Sequence, residues 1–157
     1  MSITEAIRKQ GHGSRVAIRE GDLELTFDEL FAAVDQVRQQ LQDHPAFTTP
    51  EVPRIGVRFP NGLGYIVVAL AVLEAGACFV PIPDELTEPE RQQLVRETAL
   101  HAVVSCEPIG GVEVRLPLQL GKATLHDLDD LPVSFPEQEF NALKPAFIRF
   151  SSGTTAA

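Results

Sequence analysis

The stretch Phe147-Ile148-Arg149-Phe150-Ser151-Ser152-Gly153-Thr154-Thr155 is where residue types and spacing first suggest chemistry. Its first half reads as a strand, with apolar residues recurring and Pro145 just upstream opening it. Its second half is a run of small residues: Ser151, Ser152, Gly153, Thr154 and Thr155. Glycine lets backbone N–H groups approach a ligand closely, and hydroxyls add rotatable donors. Donors converging from backbone and side chain make an anion-binding concavity that suits phosphate. A polar turn leaving a strand would look the same in isolation, so the rest of the chain must decide.

Two other groupings invite a chemical reading. Gly62-Leu63-Gly64 follows a strand pattern and opens a helix pattern, with Asp84 further on, as in a dinucleotide fingerprint. Val67 stands where the third glycine belongs, and Pro60-Asn61 occupies the tight turn, so an NAD-binding domain is the weaker alternative. His12, His44, His101 and His126 show no metal-ligand spacing and read as surface or structural residues. Cys78 and Cys106 form no C-x-x-C pair and read as small buried apolar residues in a reducing compartment. No G-x-x-x-x-G-K-[ST] loop is present.

Composition narrows the partners. Thirteen Lys and Arg against 22 Asp and Glu give a formal charge of −9, with no basic run, which argues against nucleic acid or an anionic membrane. At 157 residues and 44% hydrophobic content, one domain with a real core is expected. The amino terminus lacks a signal-peptide layout, and the apolar run from Tyr65 to Ala77 is too short to span a bilayer. These features point to the cytoplasm and to no membrane partner.

The elements that would position the loop can be read in order. Ser2 with Glu5, Thr26 with Glu29, and Thr87 with Glu90 each fit a capping box. The second box starts a helix reaching about Gln42, whose Phe27, Leu30, Phe31, Val34, Val37 and Leu41 form one apolar face. Strands are expected over 15–20, 23–25, 54–59, 78–82 and 102–105, then over 112–120 as one strand or two short ones split at Pro117. Asn61 is the expected cap of an apolar helix over 63–75, which Gly76 ends. Leu125 to Leu131 reads as a brief helix, and Ala146 to Phe150 as the last strand. Alternating strand and helix patterns argue for an α/β fold, a mostly parallel sheet with helices on both faces. In such sheets ligands bind beyond the carboxyl ends of strands, where Ser151–Thr155 would lie.

The order of motifs resembles the amino-terminal part of the adenylate-forming (AMP-binding) enzymes, which include acyl-CoA synthetases, luciferases and peptide-synthetase adenylation domains. Three stretches carry it: Leu25-Thr26-Phe27-Asp28-Glu29-Leu30; Pro60-Asn61-Gly62 with Leu73-Glu74-Ala75-Gly76-Ala77-Cys78-Phe79-Val80-Pro81; and Phe150 to Thr155. The resemblance implies that Ser151, Ser152, Gly153, Thr154 and Thr155 wrap the β- and γ-phosphates of ATP. It implies ATP and Mg2+ as cofactors of a longer parent, a carboxylic acid as substrate, and CoA or a carrier-protein thiol as acceptor. Residues 1–157 would be the amino-terminal subdomain of that parent. Thr155 is followed by Ala156 and Ala157, where the family continues with glycine and a proline-lysine-glycine segment. The groups that hold adenine, ribose, magnesium and carboxylate fall further downstream in the family. The chain by itself is therefore expected to be inactive, and to self-associate through its last strand. A non-catalytic structural or interaction module is the alternative.

Overall fold

The computed structural model describes residues 3–10, 13–108, 110–128 and 134–150. The chain runs α1 (Ile3–Lys9), β1 (Val16–Glu20), β2 (Leu23–Thr26), α2 (Phe27–Gln42), a 3-10 turn (Pro45–Phe47), β3 (Arg54–Arg58), α3 (Leu63–Glu74), β4 (Cys78–Pro81), α4 (Glu88–Thr98), β5 (Ala102–Ser105), β6 (Val112–Arg115), β7 (Lys122–Asp127) and α5 (Glu137–Leu143). The main sheet has the order β4-β3-β5-β7-β6, and β1 and β2 form a separate antiparallel hairpin.

Helices cover both faces of the sheet, as expected. On one side α2 and α3 pack Leu30, Val34, Val37, Val67 and Val68 against Val57, Val104 and Leu125. On the other, Leu94 of α4 joins Val80, Ile82, Leu100 and Val103. Gly56 makes that approach possible: a Cβ there would fall 2.6 Å from Ile82 Cδ1 and 2.9 Å from Leu100 Cδ1. Both interior capping boxes form, Thr26 with Glu29 and Thr87 with Glu90. Gly76 adopts φ +81 beyond the end of α3, the left-handed conformation that favours glycine. Ser2 lies outside the described residues.

The expected mostly parallel sheet is instead mixed. Strand β3 pairs parallel with β4 and β5, whereas β7 runs antiparallel to both β5 and β6. The cause is a hairpin where a brief helix over 125–131 was expected, a span described only as far as Leu128. Ala123 and Leu125 are buried while Lys122, Thr124 and His126 are more exposed, a period of two rather than 3.6. Leu118 and Gln119 both sit at φ +60, and the Leu120 N–H donates to Pro117 O at 3.2 Å. That is a type I′ turn made without the Asn-Gly signature that would have announced it.

The last expected strand is short. Phe147 forms a parallel bridge to Phe79 on the outer edge of β4. The Phe79 N–H donates to Ala146 O at 2.9 Å, and the Ile148 N–H to Phe79 O at 3.0 Å.

Candidate functional site at the carboxyl edge of the sheet

Ser151, Ser152, Gly153, Thr154 and Thr155 lie outside the described residues, so the site is built from what leads to them. The parallel bridge at Phe147 sends the chain in the same direction as β3 and β4. Phe150 therefore heads toward the carboxyl ends of those strands. A groove of about 780 Å³ follows that path, lined by Tyr65, Phe79, Pro81, Leu94, Arg149 and Phe150 among others. Phe147 and Phe150 are exposed at 56% and 43%, and Leu143 at 79%.

At the same edge, Arg58 ends β3 and gathers the neighbouring loops. Its Nε donates to Asp84 Oδ1 at 3.2 Å, and its two terminal nitrogens form a fork on Glu107 at 2.8 and 3.1 Å. The Glu107 N–H donates to Ser105 Oγ, and Thr124 Oγ1 donates to Glu107 O. The end of β3 and the loops after β4 and β5 are thus tied together by one guanidinium whose side chain is 18% exposed. No motif announces this cluster; its members come from four separate stretches of sequence.

The start of α3 differs from expectation. Asn61 does not cap it; Gly62 is the N-cap and has no side chain to offer. Glu20, at the end of β1, supplies the acceptor instead, taking the Leu63 N–H at 3.1 Å. Gly62 leaves room for that carboxylate, since a Cβ there would lie 2.6 Å from Glu20 Oε1. A dinucleotide's pyrophosphate would need this same helix terminus. Glu20 occupies it with a negative charge, and Asp84 is engaged by Arg58, so the residues of that alternative do not assemble a dinucleotide site.

A cavity of about 470 Å³ lies between α4 and the sheet, with Arg58, Arg91, Val95, Val103 and His126 in its lining. Arg91 is held by Glu88 and by Leu86 O. Among the described residues, buried His126 Nδ1 has no hydrogen-bond partner, and burial pushes the imidazole below its ordinary value. His44 accepts from the Ala46 N–H, and His101 Nδ1 from the Arg54 N–H, both structural roles. His12 lies outside the described residues. Among the described residues no group of three or more His, Cys, Asp or Glu could hold a metal. Cys78 is buried, and burial pushes its thiol up to about 11. Cys106 is exposed, contrary to expectation, because it sits past the end of β5 rather than within it. No described helix is long and apolar enough to cross a membrane.

The comparisons with known proteins bear on the family and the fold. Residues 5–157 match the family described as AMP-binding enzyme. Nonribosomal peptide synthetase 7 of Gibberella zeae is 30% identical over 162 residues, covering 98% of this chain and 4% of the relative. Nonribosomal peptide synthetase 1 of Aspergillus fumigatus is 30% identical over 145 residues, covering 88% of this chain and 2% of the relative. The chain thus spans a small part of these synthetases. Among solved structures, the Klebsiella oxytoca NpsA N-terminal subdomain superposes with a TM-score of 0.62 at 16% identity, covering 71% of this chain and 28% of that one. O-succinylbenzoate Coenzyme A Synthetase (MenE) from Bacillus subtilis, in complex with ATP and magnesium ion, gives 0.61 at 20% identity, covering 70% and 29%. Those two structures share the fold. With the family match running over nearly its whole length, the chain belongs to the AMP-binding enzymes.

Proposed function

We propose that residues 1–157 are the amino-terminal subdomain of an ATP-dependent carboxylate-activating ligase. The reaction forms an acyl-adenylate and pyrophosphate, then passes the acyl group to the thiol of CoA or a carrier protein as AMP leaves. Ser151–Thr155 hold the β- and γ-phosphates. The observation that supports this reading is the parallel bridge at Phe147, which directs the described residues up to Phe150 toward the carboxyl edge of the sheet, with the run of hydroxyls and a glycine next in sequence. The donor set suits a phosphate chain: backbone N–H groups freed by Gly153, and hydroxyls from two serines and two threonines. ATP supplies the electrophilic phosphorus and the leaving pyrophosphate. The loop's own contribution is to spread the negative charge that grows on that leaving group over preorganised donors. Mg2+ would accompany the nucleotide's phosphates and offset their charge, and none of the described residues is assigned to it. No nucleic acid or membrane takes part, and the cytoplasm is the compartment. The exposed Phe147 and Phe150 support self-association of this chain along residues 146–150, the segment that covers the outer edge of β4.

The test is ATP–pyrophosphate exchange with a broad panel of carboxylic acids. The 157-residue chain is expected to show none. In a polypeptide carrying the rest of the adenylation domain, Thr154→Ala is expected to slow single-turnover adenylation by on the order of a hundredfold. Gly153→Val should slow it further without unfolding the protein. A folded Gly153→Val enzyme adenylating at the wild-type rate would overturn the assignment.

A further inference from the structure

Arg54 is the largest fully buried side chain of the described fold, 2% exposed at the first position of β3. A charge there demands partners, and it has them. Its Nε donates to Ala99 O at 2.9 Å, and its terminal nitrogens fork onto Glu137 at 2.8 and 2.6 Å. The guanidinium also lies 4.1 Å from the ring centroid of Phe135 and 5.2 Å from that of Phe140. Glu137 and Phe140 belong to α5, and Phe135 immediately precedes that helix. A second tie comes from Asn141, whose Oδ1 accepts the Val52 N–H at 2.7 Å. Of the seven residues of α5 only Phe140 is buried, so polar ties do much of the docking.

The consequence follows from register. Arg54 pairs with Cys78 across β3 and β4, and Ile55 pairs with Phe79. Phe79 in turn bridges Phe147. Arg54, Cys78 and Ala146 therefore stand at one level, at the amino ends of three parallel segments. Between α5 and Ala146 come only Lys144, in the left-handed conformation at φ +46, and Pro145. Where α5 is held decides where the third segment begins.

We propose that Arg54 is a positioning residue: by clamping α5 at the amino edge of the sheet, it sets the register of residues 146–150 on β4 and so the point from which the phosphate loop departs. The last clause rests on the phosphate-loop reading above. The choice of arginine is physical. Only a planar fork can bind both Glu137 oxygens while presenting its face to Phe135.

The experiment is residue-resolved amide exchange on the 157-residue chain without nucleotide. The reporters are the N–H of Phe79, donated to Ala146 O, and that of Ile148, donated to Phe79 O. In Arg54→Met, Arg54→Lys and Asn141→Ala, both should exchange faster by about tenfold or more, while the amides of β5 and β7 keep their protection. Arg54→Lys keeps the charge but loses the fork, so it should not restore the wild-type pattern. Asn141→Ala leaves the buried arginine paired and reports even where the Arg54 variants fail to fold. Uniform acceleration across the sheet would reduce Arg54 to a general stabiliser and overturn the proposal, as would unchanged Phe79 and Ile148. The link to the loop is read separately. In the complete adenylating polypeptide, Arg54→Met should raise the KM for ATP and leave the carboxylate KM unchanged. Altered exchange with unaltered ATP kinetics would uphold the clamp and overturn its link to the loop, leaving the loop's own role to the Gly153→Val test.

Discussion

Removing the Glu20 carboxylate tests whether the start of α3 is capped from outside the helix. In Glu20→Ala the Leu63 N–H loses its acceptor, and Gly62 has no side chain with which to replace it. A side-chain cap contributes about 0.5–2 kcal/mol, and a negative charge at a helix amino terminus about 0.3–1 kcal/mol. Glu20 is an exposed residue, so solvent screens its charge and the lower part of these ranges applies. The expected loss is about 1 kcal/mol, or roughly 3 °C in Tm for a chain of this size. Glu20→Gln keeps an acceptor without the charge and should lose about half as much at low salt. Near 1 M salt, where the screening length is about 3 Å, the gap between wild type and Glu20→Gln should close. Gly62→Ala should lose more in the wild-type background than in Glu20→Ala, because its new Cβ meets Glu20 Oε1 only when that oxygen is present. Urea unfolding at two salt concentrations reads all five proteins. A Glu20→Ala chain as stable as wild type at low salt would refute the external cap.

Gly56→Ala should cost about 1–3 kcal/mol by overpacking, since its Cβ enters the space of Ile82, Leu100 and Val103; Ile82→Val in the same chain should recover part of the loss, and a stabilised Gly56→Ala would refute the packing argument. His101 and His126 are both held below their ordinary 6.5, by burial first and, for His101, next by Arg54. Folded imidazoles stay neutral while unfolded ones charge, so the stability present above about 6.5 is lost as pH falls through that value toward the folded pKa. Urea midpoints should therefore drop between pH 7 and pH 5, and His126→Gln should flatten the slope; a level profile for the wild type would refute it. Light scattering at high concentration should show association that Phe147→Ser weakens, and a clean wild-type monomer would rule out association through residues 146–150.

Most of the elements were legible because their signals are local. Thr26 and Glu29, or Thr87 and Glu90, are three residues apart and form their caps whatever the sheet does. The apolar stripe of α2 and the left-handed Gly76 are likewise matters of neighbouring residues. The misses share the opposite character. The β6–β7 hairpin turns through Leu118 and Gln119, residues that carry no turn signature. Arg54 opens an expected strand without any local sign of its role, because its partner Glu137 lies 83 positions away.

The sequence by itself determined the α/β class, the helix limits set by caps, and the family, through three motifs in order that end in Ser151–Thr155. Only the tertiary structure decided the mixed sheet, the carboxylate of Glu20 at the start of α3, the Arg58 cluster, and the Arg54 clamp that sets where the last segment joins β4. The physical reason is range. Helix caps and apolar periodicity act over a few residues. Strand direction, register and the pairing of buried charges depend on which distant segments the packed core brings together.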